Sequence, residues 1–197
     1  MIPVEVLEDA VWSMQFSEGE DDILTQLLNR WQDPEFIHAF IYENKNLIET
    51  NSFWKNCSFQ EVMLSAINEA KNLEHYLIQL YRNSENGVSP NLEEKFFLLD
   101  KEILPGEAIT RRKMYGKLRK SFPPSVLRLY ALRLDSEGDT PPIFIITGGG
   151  IKLTEDMRQT PGLKKELDRL RSVRTWLQQN GIETKEQFYT FINYNVQ

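Results

Sequence analysis

The chain has 197 residues, enough for one large domain or two small ones with a core of ordinary size. Its 41% apolar and 26% charged residues are globular composition and exclude a wholly disordered chain. The net charge of −6 conceals an asymmetry, because residues 1–110 carry 7 Lys and Arg against 20 Asp and Glu, while residues 111–174 carry 15 against 7.

An acidic half joined to a basic half points to an anionic partner or to an internal electrostatic match; unevenly charged solvated faces are the plainer alternative. The single cysteine, Cys57, excludes an internal disulfide and a Cys-rich zinc site. The N-terminus carries Glu5, Glu8 and Asp9 and lacks the basic start of a secretory signal. No apolar run approaches the roughly 20 residues that span a bilayer, so a cytoplasmic protein without membrane contact is expected.

Residues 1–85 read as helical. Asp21 and Asp22 precede Ile23, Leu24, Leu27, Leu28 and Trp31, an apolar stripe at helical spacing with carboxylates at its positive end. Asp33 and Pro34 supply an N-cap and an N1 proline for a second helix carrying Phe36, Ile37, Phe40 and Ile41. Ser58 and Glu61 have capping-box spacing ahead of a long stripe from Val62 to Tyr81 that ends near Asn86 and Gly87. Ser89-Pro90 then opens a short helical segment through Leu92, Phe96, Phe97 and Leu99, and Leu104-Pro105-Gly106 breaks the chain.

Residues 110–121 are polar and basic, and periodicity leaves helix and loop equally open. Leu127–Leu134 alternates as a strand, residues 136–142 have turn chemistry, and residues 143–147 form a short apolar strand. Thr160 and Pro161 predict the start of a helix with Leu163, Leu167, Leu170 and Leu177 on one face, stopping at Asn180-Gly181. Thr184 caps a last short helix bearing Phe188, Phe191 and Ile192. The expected class is α+β: an acidic helical region over residues 1–88, then a basic sheet-containing core with C-terminal helices over residues 89–197.

Catalytic signatures are sparse. The chain has no Walker phosphate loop, no Gly-x-Ser-x-Gly elbow and no His-Glu-x-x-His. His38 and His75 lie in helical stripes and Cys57 has only Lys55 as a basic neighbour, so packing roles are expected and no metal or cofactor is implied. Gly148-Gly149-Gly150 follows a strand as phosphate-binding glycines do, but its spacing fits a bulge or close backbone packing better. Period-2 geometry puts Arg128, Tyr130 and Leu132 on one strand face, with Arg111, Lys113, Tyr115, Lys117 and Lys120 just before them. Cations that neutralise phosphate beside rings that stack on unpaired bases suit RNA.

The order of elements resembles a known family. The strand Leu127–Leu134, a turn, Ile143-Phe-Ile-Ile-Thr-Gly-Gly-Gly-Ile-Lys-Leu-Thr154 and a Thr-Pro-initiated charged helix look like the C-terminal core of RelE/HigB-type toxins, over about residues 92–181. That resemblance implies a small, twisted, mostly antiparallel sheet packed on helices. It also implies metal-independent cleavage of mRNA on the ribosome, by the toxin half of a toxin–antitoxin pair. Arg128 or Arg133 would then bind phosphate, Lys152 would offset transition-state charge, and Tyr130 would stack or relay a proton. The implied partner is an antitoxin, such as a small helix-turn-helix protein. The alternative expectation is a non-catalytic RNA- or protein-binding module whose acidic half masks the basic surface, within the chain or across a homo-oligomer.

Overall fold

A computed structural model describes residues 1–86, 92–99, 108–117, 124–154, 160 and 162–195. It is an α+β structure built on one six-stranded sheet. The strands, in chain order, are β1 (Ile2–Leu7), β2 (Val11–Gln15), β3 (Phe97–Leu98), β4 (Ile109–Tyr115), β5 (Leu127–Leu134) and β6 (Ile143–Ile151). Their spatial order is β1-β2-β6-β5-β4-β3. Every neighbouring pair is antiparallel except β2 and β6, which run parallel with Val11 opposite Phe144 and Ser13 opposite Ile146.

That parallel pair corrects the expected order of elements, because the chain opens with a β-hairpin rather than a helix. Leu7 and Ala10 close its turn through a backbone bond of 3.1 Å, with Asp9 at φ 56°. Strands of five or six residues are too short for periodicity to separate from a helical stripe. β2 joins β6, so residues on both sides of position 88 share a sheet.

The helices follow the local signals closely. Asp22 caps α1 (Ile23–Gln32) by accepting from the amides of Leu24 and Thr25. Asp33 caps α2 (Pro34–Glu43), which has proline at its start. After the short α3 (Lys45–Thr50), α4 (Phe59–Glu85) opens with both halves of the Ser58–Glu61 capping box in place. α5 (Leu163–Gln179) begins after Gly162 at φ 81° and has no side-chain cap. Thr160 does not cap it: its hydroxyl lies 2.6 Å from that of Thr154 instead. Gly181 at φ 70° ends α5 as its sequence foretold, and α6 (Lys185–Asn195) follows. Residues 110–115, left open between helix and loop, are strand, and Leu92 begins a turn leading into β3 rather than a helix. The expected features at Gly87, Ser89-Pro90, Leu104-Pro105-Gly106, Lys120 and Pro161 lie outside the described residues.

Both sheet faces are covered, and the glycines of β6 report by what. A Cβ on Gly149 would stand 2.8 Å from Trp31 and 3.1 Å from Leu27, both on α1. On the opposite face, a Cβ on Gly150 would meet Leu163 of α5 at 2.5 Å, and one on Gly148 would meet Glu166. The run of three glycines therefore lies inside a strand pressed between two helices, and close packing accounts for it. Among the described residues, no helix is long and apolar enough to cross a membrane.

Candidate anion-binding site

The register of β4 against β5 gathers most of the residues singled out from sequence. Tyr115 lies opposite Arg128, Lys113 opposite Tyr130 and Arg111 opposite Leu132, so all six share one face. The Arg128 guanidinium sits 4.1 Å from the centre of the Tyr115 ring, a cation–π contact. Its Nη1 also donates to the carbonyls of Ser125, at 2.8 Å, and Leu127, at 2.7 Å. Arg128 is buried, and burial lowers its pKa from the usual value; Tyr115, Tyr130 and Glu69 act in the opposite direction. A guanidinium so far from neutrality stays charged, so the fold holds a fixed cation where β5 begins.

Arg128 opens onto a cleft of about 320 Å³ that also takes Lys152, Thr154, Pro124, Ser125 and the turn of Asn51, Phe53 and Trp54. Lys152 arrives there because β6 ends at Ile151 and the next amide bonds the carbonyl of Val126 at 2.6 Å. Asn51 fixes the far wall. Its amide donates to the carbonyl of Leu153 at 2.9 Å, and its side-chain oxygen accepts from the amides of Phe53, at 2.8 Å, and Trp54, at 3.3 Å. This turn buries Trp54 and leaves Phe53 exposed on the rim. The cleft's described lining holds two cations and no carboxylate.

The remaining candidates go elsewhere. Tyr130 is completely buried beside Arg128, and burial raises its pKa strongly, so its ring offers no open face for a base. Lys113 donates to the carbonyl of Leu99 at 3.3 Å. Arg133 projects from the opposite face of β5 and pairs with Glu93, at 2.6 Å, and Asp135, at 2.8 Å. Lys117 lies 3.5 Å from Glu69. Lys120 is outside the described residues.

No family model, curated protein or solved structure matches the chain. Whatever function is assigned must therefore stand on the cleft. Sequence reading found both of its cations but missed Asn51, Phe53 and Thr154, the parts that shape it. Asn51 did carry a signal: an Asn followed by a serine and two aromatics suits a side-chain-stapled turn.

Proposed function

We propose that the chain binds single-stranded RNA, with the cleft between Arg128 and Lys152 as its phosphate subsite. The observation that carries this reading is the convergence of two cations from different strand ends on one concave, carboxylate-free surface with an exposed ring at its rim. A diester phosphate would accept from the guanidinium and the ammonium, and an unpaired base would lie against Phe53. In the toxin–antitoxin setting that the sequence resembles, a partner would neutralise the protein by covering this cleft.

Binding ranks ahead of cleavage. Attack by a 2′-hydroxyl requires a group that accepts its proton, and the described lining supplies amide, hydroxyl, guanidinium and ammonium groups but no imidazole or carboxylate. Titration of a fluorescent RNA oligomer across a range of salt tests the reading. The logarithm of the affinity should fall linearly with log salt, with a shallower slope for Lys152→Ala. Salt-independent binding, or an unchanged slope in that variant, would refute it. Expression of the chain without a partner tests cleavage separately: intact mRNA and normal growth are expected of a pure binder, and mRNA breakdown would restore the endoribonuclease reading.

A further inference from the structure

A second cleft, of about 210 Å³, is lined by Tyr115, the ring against which the Arg128 guanidinium of the first cleft lies. Asn72 and Tyr76 of α4 form one wall, and Glu94, Lys95 and Phe97 lie across from them, with Tyr115 also contributing to the lining. The volume is below the roughly 300 Å³ at which pockets for drug-sized molecules begin, and it suits one planar ring system. Three aromatic rings, those of Tyr76, Phe97 and Tyr115, belong to its lining. The Phe97 ring stands 5.7 Å from that of Tyr115 at 64°, and the Tyr76 ring lies 5.2 Å from the Lys95 ammonium. Asn72 and Glu94 are exposed and add an amide and a carboxylate.

We propose that this cleft is a base subsite, which takes an unpaired nucleobase bearing an exocyclic amino group from the strand whose phosphate is held by Arg128 and Lys152. The inference rests on the phosphate reading above and extends it. A carboxylate beside a phosphate chain is a repulsive element unless it accepts a hydrogen bond from the base, and an exocyclic amino group is the donor that satisfies it. Uracil presents a carbonyl at that position and would leave the Glu94 carboxylate unpaired against it. The Asn72 amide can donate and accept along the same edge. Lys95, also in the lining, would compensate part of the Glu94 charge and meet the next phosphate.

The test compares eight-nucleotide oligomers of cytidine, of uridine and of abasic ribose phosphate, bound to the full chain at one salt concentration. Cytidine should bind roughly tenfold tighter than the abasic strand, the scale of one base stacked on aromatic rings, and several-fold tighter than uridine. Asn72→Ala with Glu94→Ala alters two exposed side chains; it should make cytidine and uridine bind alike and raise abasic binding, because the unpaired carboxylate no longer repels the strand, while leaving the melting temperature unchanged. Equal binding of the cytidine and abasic strands overturns the base subsite and leaves the phosphate subsite standing. Equal binding of cytidine and uridine, or a preference that survives the double substitution, overturns it as well. Failure of all three strands to bind overturns both subsites.

Discussion

Two charges clamp the start of β5 from opposite sides, and they differ in what they leave over. Glu69 of α4 accepts from the amides of Val126, at 3.1 Å, and Leu127, at 3.0 Å, and from the hydroxyl of Ser125 at 2.6 Å, with Lys117 beside it. Arg128 donates to the carbonyls of Ser125 and Leu127. One side chain thus takes N–H groups of a short segment and the other takes C=O groups, on a stretch that β6 borders but that lies beyond the last β4 pair, Tyr115 opposite Arg128. Glu69 is 2% exposed, and its oxygens are used up by the segment. Arg128 carries out the same structural task and in addition opens onto a cleft. A buried charge is therefore not a functional signal in itself. The unoccupied space in front of the charge makes the difference.

Removing the closed charge should have the largest effect. Glu69→Ala strips the partner from two backbone amides and a hydroxyl, and should cost about 3 kcal/mol of stability. Glu69→Gln keeps one accepting oxygen and should cost about half as much. Urea denaturation measures both, and a loss below 1 kcal/mol for the alanine variant would mean that the clamp is ornamental. Gly149→Ala comes next. Its Cβ would fall 2.6 Å from the carbonyl oxygen of Arg128 and 2.8 Å from Trp31. Neither a strand carbonyl nor a buried tryptophan yields easily, so a loss of about 2 kcal/mol is expected in the same measurement. A near-neutral result would show that the packing around the Arg128 backbone is looser than the glycine run implies.

The contrast also explains what could be read from sequence. Caps were legible because they are local: Asp22, Asp33 and Ser58 with Glu61 each act within three residues. Arg128 and Lys152 were legible as cations on neighbouring strands. Glu69 was not, since its partners lie 56 to 58 residues away and a glutamate inside an acidic helix looks like any solvated one. The β1–β2 hairpin was missed for a related reason: Val4 and Val6 acquire meaning as strand residues only once β2 has found β6, a pairing across more than 130 residues. Arg133 is the converse case: the period of two already puts it on the face opposite Arg128, and what the sequence did not show was the pair of carboxylates, Glu93 and Asp135, that engage it.

The open charge can be tested without disturbing the closed one. Lys152 makes one wall of the cleft and is half-buried, and Lys152→Ala should cost about 1 kcal/mol of stability or less, well below Glu69→Ala. The same variant should lower the dependence of RNA affinity on log salt by roughly 0.7, one phosphate contact to a single strand. A stability loss comparable to that of Glu69→Ala would place Lys152 with the structural clamp and remove the distinction between the two sites.

Glu166 lies between the two cases, and its effect should be the smallest. It packs on Gly148, accepts from the Gly149 amide at 3.3 Å and pairs with Arg169 at 2.7 Å. Burial nevertheless raises its pKa above the ordinary 4.5; Arg169, the Gly149 amide and Lys165 offset this only in part, and Tyr130 faces it from the sheet. A carboxyl that keeps its proton to higher pH when folded binds more protons in the native state through that window. Stability contributed by Glu166 is therefore full below the ordinary carboxylate range and declines as pH rises through the raised value. Glu61 and Glu186 work in the opposite direction, because hydrogen bonds to Ser58 and to Ser136 lower their pKa values and their contribution is lost on acidification. The wild-type curve alone therefore mixes both signs. Subtracting the curve for Glu166→Gln, which keeps an oxygen for the Gly149 amide, cancels the other two carboxylates. The difference, wild type minus variant, should fall as pH rises above 4.5 and then level off. A flat difference would mean that Arg169 and the Gly149 amide offset the burial of the Glu166 carboxylate in full, and that Glu166 is a second closed clamp.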